Sequence, residues 1–97
     1  MKLDDIVNEP FLFDWDKGNI NKSIKKHGVR NDEAEQVFIN NPLIWEDVEH
    51  TTKLEKRYLC LGNTDEGKIL FISFTIREDK LRIISARMAS KKERNKI

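Results

Sequence analysis

The sequence predicts an α+β fold: a short N-terminal strand and two helices, then a four-strand antiparallel meander and a C-terminal basic helix. Three observations carry this. Apolar residues recur at helical spacing only in the first forty residues, at Ile20 and Ile24 and again at Ala34, Val37 and Phe38. From Leu43 to Arg87 the period changes to two, in segments joined by connections too short for crossovers. Last, Ser90-Lys91-Lys92-Glu93 has the spacing of a capping box, which opens a helix.

Each element has a local cause. Phe11-Leu12-Phe13-Asp14-Trp15 alternates towards its end and reads as a short strand. Asp14 or Asp16 caps a helix running to His27, because a carboxylate accepts from free amides at a helix start. Its stripe is Ile20 and Ile24, with His27 one turn on, and Gly28 ends it in the left-handed conformation. A second helix covers Asp32 to Ile39 with Asn31 as cap; Asn40-Asn41-Pro42 stops it. Strands follow at Leu43–Val48, Arg57–Gly62, Lys68–Arg77 and Leu81–Arg87, with turns at 62–67 and at Glu78-Asp79. In the third of these, Leu70, Ile72, Phe74 and Ile76 share one face. The other face turns from Ile69 and Phe71 to Ser73, Thr75 and Arg77, and a face that becomes cationic is a candidate site. Helices then pack on one face of the sheet.

Composition bounds the function. The 97 residues are 38% hydrophobic and 36% charged, with only four Gly and two Pro, which excludes disorder and low complexity. The expected organisation is one domain over residues 1–97, with 1–10 as an N-terminal extension. No apolar run reaches the roughly 18 residues of a membrane span, and Met1-Lys2-Leu3-Asp4-Asp5 has no signal-peptide core, so no membrane partner and a cytoplasmic location are expected. The one cysteine, Cys60, has no internal disulfide partner and reads as buried filler. Two histidines and one cysteine do not supply a structural zinc site of usual spacing. Charge is uneven: residues 1–76 hold ten Lys/Arg against fourteen Asp/Glu, whereas 77–97 hold eight against three. That end of the chain suits either a solvated basic helix or a surface meeting a polyanion.

Several short motifs occur in order. Phe13-Asp14-Trp15-Asp16, Lys26-His27-Gly28-Val29, Glu33-Ala34 and Val37-Phe38 come first. Glu55-Lys56-Arg57-Tyr58, Leu61-Gly62, Arg82-Ile83-Ile84-Ser85-Ala86-Arg87 and Lys91-Lys92-Glu93-Arg94 follow. The series, spanning Phe11 to Arg94, resembles the BrnT toxins. The resemblance implies a RelE-like fold and an endoribonuclease toxin of a type II toxin–antitoxin pair that inhibits translation when free. It also implies a BrnA-like ribbon-helix-helix antitoxin that alone binds operator DNA. A dimeric antitoxin gives a two-plus-two heterotetramer. RNA is the implied substrate.

Cleaving RNA without a metal or other cofactor requires a base for the 2′-hydroxyl, cations for charge growing on the phosphate, and a proton for the leaving 5′-oxygen. No carboxylate cluster suggests magnesium, and arginine's planar fork suits the phosphate oxygens. Arg57, Arg77 and Arg87 are the preferred catalytic cations, because each stands at a strand end where antiparallel neighbours can converge. Arg82 either contacts RNA or covers apolar surface with its stem. His27 is either an acid–base group or a helix-end histidine orienting the turn. Glu55 is either a base or the residue that holds Arg57, and the second is favoured. Lys26, Lys91, Lys92 and Arg94 are expected RNA contacts, and Tyr58 a base-stacking one. His50 is a weaker candidate, while Trp15 and Trp45 read as core or antitoxin contacts. Two alternatives remain: a non-catalytic co-repressor partner of the antitoxin, and cleavage that depends on the ribosome.

Overall fold

The polypeptide winds around a four-strand sheet, in a computed structural model that describes Met1–Ile97. A short 3-10 turn (Leu3–Asp5) comes first. It is followed by α1 (Lys22–His27), α2 (Asn31–Ile39), β1 (Leu43–Glu46), β2 (Arg57–Asn63), β3 (Ile69–Arg77), β4 (Lys80–Met88) and α3 (Lys91–Arg94). The strands lie in chain order, each antiparallel to the next, as short connections require.

The N-terminal strand does not form. Residues 11–15 make one isolated parallel bridge, Phe13 opposite Leu81. The reason lies in the edge of β4. Leu81 N–H donates to Leu12 O at 2.8 Å, and Asp14 N–H to Leu81 O at 2.9 Å. Beyond that point side chains take over: Asn19 Nδ2 donates to Ile83 O at 3.0 Å, and Ala86 N–H donates to Ser23 Oγ at 2.9 Å. A bulge in β4 bends this edge, and a bent edge does not hold a straight partner for long.

The same edge explains α1. Asp16 does accept Gly18 N–H at 2.8 Å, but the helix begins only at Lys22, because Asn21 sits in the left-handed region at φ 60°. The expected stripe is reversed: Ile20 and Ile24 are 46% and 38% exposed, while Asn19 and Ser23 are buried. A strand edge offers amides and carbonyls, so the segment covering it must present polar groups. Gly28 closes α1 at φ 70°, as its position predicts.

In α2 the cap is Arg30 rather than Asn31. Glu33 Oε1 reaches back to accept Arg30 N–H at 3.0 Å, and Asn31 bonds instead to Asn21. Glu33 is only 1% exposed and accepts a second bond from Lys68 Nζ at 2.6 Å. The Lys68 ammonium holds its carboxyl below the ordinary range. A depressed folded pKa contributes stability that is present above the unfolded value and lost as pH falls through the folded one. Urea midpoints measured from pH 7 downward should therefore fall more steeply for the wild type than for Glu33→Gln.

Ala34, Val37 and Phe38 of α2 pack onto Tyr58, Cys60, Leu70, Ile72, Phe74, Ile83 and Ala86. Phe74 stands at the centre, edge-on to Phe38 at 5.0 Å and stacked on Tyr58 at 5.4 Å. The helix sits close because Gly62 lacks a Cβ, which would come within 3.0 Å of both Val37 and Pro42. Cys60 is buried here, and burial pushes its thiol pKa up, so it stays protonated. The first ten residues close the same side: Val7 is buried, and Leu3 and Ile6 pack on the core. β1 ends at Glu46, two residues before its expected end, where the chain turns at Asp47. No helix is long and apolar enough to cross a membrane.

Candidate active site on the open sheet face

Arg82 and Arg87 are five positions apart, so strict alternation puts them on opposite faces of β4. The bulge reverses this. Ser73 pairs with Ser85 but Phe74 pairs with Ile83, so Ile84 is the extra residue. Arg82 consequently lies opposite Thr75 and Arg87 opposite Phe71, on one face. Arg57 pairs with Thr75 from the other side, and Arg77 follows Thr75 by two. All four strand arginines thus belong to the face turned away from α2.

Glu55, Arg57 and Arg77 are brought together. Glu55 Oε2 accepts Arg57 Nε at 2.8 Å, and its Oε1 accepts Arg77 Nη2 at 3.2 Å. The hydrogen-bonded Arg57 guanidinium, with Arg77 behind it, holds the Glu55 carboxyl below its ordinary range. It is ionised at neutral pH and poorly suited to take a proton. The backbone beneath is fixed: Thr75 Oγ1 donates to Lys56 O at 2.7 Å, and Arg57 N–H donates to Thr51 Oγ1 at 3.0 Å.

Arg87 does not join them. In a meander the end of β4 lies at the opposite end of the sheet from the end of β3. Its partner Phe71 is four residues from Thr75, roughly 13 Å along the strand. The Arg87 fork is filled by Glu93, with Nη1–Oε1 at 2.8 Å and Nη2–Oε2 at 2.9 Å, and its guanidinium lies over Phe71 at 4.5 Å. Arg87 and the Ser90 amide bring the Glu93 carboxyl down to about 2. By the same sign rule, this latch keeps its full contribution above the unfolded carboxylate range of about 4 and loses it as pH falls to about 2. Amide chemical shifts of Lys91–Arg94 should therefore hold down to about pH 3 and move through a step centred near pH 2. Glu93→Gln should remove that step.

Arg82 is a strut. Its side chain is 12% exposed, with Nη2 at 2.8 Å from Asp16 Oδ1 and Nη1 at 3.5 Å from Asp14 Oδ2. The fork expected to meet RNA is occupied by the N-terminal segment. Tyr58 also departs from expectation: it is 7% exposed, on the helix side of the sheet, because it shares a face with Cys60. Alternation puts it opposite its neighbour Arg57, away from any base.

His27 and Lys26 are exposed at the end of α1 and make no side-chain hydrogen bond or ion pair; Lys91, Lys92 and Arg94 are exposed around α3 and unpaired with any acid. His50 is exposed and bonded through Nδ1 to Asp47 Oδ2 at 2.8 Å. Trp15 packs against the core, its Nε1 donating to Glu35 Oε2 at 2.7 Å. Trp45 is not core: it pairs with Leu59 on the arginine face, 6.1 Å from Phe71, with Lys96 Nζ at 5.3 Å over its ring. The residues missed from sequence are the carboxylate partners Asp14, Asp16 and Glu93. Consecutive Ile83-Ile84, which breaks the alternation, was the available sign of the bulge. No three His, Cys, Asp or Glu side chains stand close enough to share a metal ion.

No curated protein matches the sequence. A family model described as ribonuclease toxin, BrnT, of type II toxin–antitoxin system matches residues 15–93, a span that includes Glu55, all four strand arginines and Glu93. The chain therefore belongs to the BrnT family of ribonuclease toxins of type II toxin–antitoxin systems.

Proposed function

We propose that this chain cleaves RNA without a metal ion, on the open face of a RelE-like sheet, and inhibits translation until a BrnA-like antitoxin covers that face. The observation that carries the proposal is the pair Arg57 and Arg77 held on one carboxylate, half-exposed, on a face where the Ile84 bulge also brings Arg82 and Arg87. Two fixed guanidinium groups meet charge on a pentavalent phosphate without reorganising, which is where electrostatic catalysis gains most. Glu55 positions both; its ionised state argues against the base role. His27 is the proposed proton-transfer group; it is exposed at the end of α1, and the chain leading to it runs along β4 from Asn19 at Ile83 to Ser23 at Ala86, toward the Arg87 end of the face. Lys26, Lys91, Lys92 and Arg94 hold the flanking phosphates.

The antitoxin silences such a face by covering it or supplying carboxylates, as Glu55 and Glu93 already do within the chain. A dimeric antitoxin then carries two toxins outside and binds operator DNA itself. Incubation of the chain, free of antitoxin, with total RNA in excess EDTA tests the reading. Cleavage is the expected result. Intact RNA, with translation still blocked, points to ribosome-dependent cleavage; no toxicity at all points to a co-repressor. Binding to single-stranded RNA through about five phosphates should show a log–log salt slope near −3.5.

A further inference from the structure

We propose that Trp45 and Phe71 form a stacking subsite for an unpaired RNA base, lying between the two arginine groups of the open face. The inference rests on the ribonuclease reading above and names the substrate as single-stranded RNA. Trp45 pairs with Leu59, whose neighbours on the same face are Leu61 and Arg57. Leu61 lies in the cross-strand row of Phe71 and Arg87, and Arg57 in the row of Thr75 and Arg82. The indole is thus one row from each arginine group, with Arg57 on one side and Arg87, paired with Glu93, on the other.

The aromatic surfaces themselves support this occupant. Trp45 and Phe71 meet edge to face at 6.1 Å and 64°, which leaves ring faces unstacked by other aromatics. What covers them is cationic: the Arg87 guanidinium 4.5 Å over Phe71, and Lys96 Nζ 5.3 Å over Trp45. A base stacks on an indole more strongly than an exposed ammonium holds to it. Lys96, once displaced, is beside the incoming phosphates and attracts them. A chain of acidic protein side chains shares the charge but not the flat ring, and a duplex keeps its bases stacked on each other.

The chain has two tryptophans, so Trp15→Phe leaves Trp45 as the only indole reporter. The probe is a 2′-O-methyl oligouridine carrying an end label; it lacks the free 2′-hydroxyl and is not cut. Saturable quenching of Trp45 emission is expected, together with a rise in label anisotropy, while a duplex of the same length binds without quenching. Trp45→Leu should weaken binding roughly 5- to 100-fold, and Trp45→Tyr should restore most of it. Anisotropy without quenching, with Trp45→Leu binding as tightly as its parent, overturns the subsite but leaves RNA binding intact; the Trp45 surface is then free for a protein contact. No anisotropy change with any oligonucleotide overturns the reading that the chain acts on free RNA, and the subsite with it.

Discussion

Arg57→Ala lowers the rate of RNA cleavage by roughly 10²- to 10³-fold while thermal unfolding shifts little, the expected cost of removing one fixed donor from a charge-stabilising site. Arg57 is held by Glu55 from one side and its backbone by Thr51, so its guanidinium is oriented before substrate arrives. Stability changes little because the Glu55 pair is half-exposed and Arg77 still satisfies the carboxylate. Arg57→Lys should recover only part of the rate, since an ammonium lacks the fork that meets two oxygens. Arg82→Ala makes the contrast: it leaves Asp14 and Asp16 without their cation, and its effect should appear in the unfolding midpoint first. Parallel measurement of cleavage and melting in the two variants checks both. Full cleavage by Arg57→Ala overturns the assignment of the site.

Phe74→Ala destabilises the fold by about 3–5 kcal/mol. Phe74 is fully buried where α2 meets the sheet, against Phe38 and Tyr58. Truncation removes the largest of the fully buried side chains and leaves a cavity whose walls, Ile72 and Ile83 among them, are fixed by the strand ladders. For a chain of this size, such a loss lowers Tm by about 15 °C or more. Calorimetry on the two proteins is the check, and a shift below about 5 °C would mean that the core collapses around the gap. Phe74→Leu, which keeps most of the volume, should lose far less.

Much of the architecture was legible because its causes are local. The change of period at Leu43, the glycine at 28, the proline at 42 and the Ser90–Glu93 spacing each act over a few residues. The strands, the end of α1 and the start of α3 followed from them. The cationic face of β3 was also readable, since alternation needs no knowledge of neighbours. The failures share a different cause. Phe11–Trp15 has strand-like sequence, yet a bent β4 edge allows it a single bridge. Ile20 and Ile24 look like a buried stripe, but the element they adjoin needs hydrogen-bond partners rather than apolar cover. Tyr58 sits beside Arg57 in sequence and on the opposite side of the sheet in space.

The site divides in the same way. The sequence by itself determined which groups are available for phosphate: the arginines of the strands, the lysines of α1 and α3, and few histidines. Their chemistry is intrinsic to the side chains. Only the tertiary structure decided which of them act together. Strand order put Arg57 and Arg77 at one end and Arg87 at the other. One extra residue in β4 brought Arg82 and Arg87 to the same face, and remote carboxylates, Asp16 for Arg82 and Glu93 for Arg87, then filled their forks. A period of two is a property of a single strand, whereas register, bulges and ion pairs exist only between segments. Function on this face depends on the second kind of information.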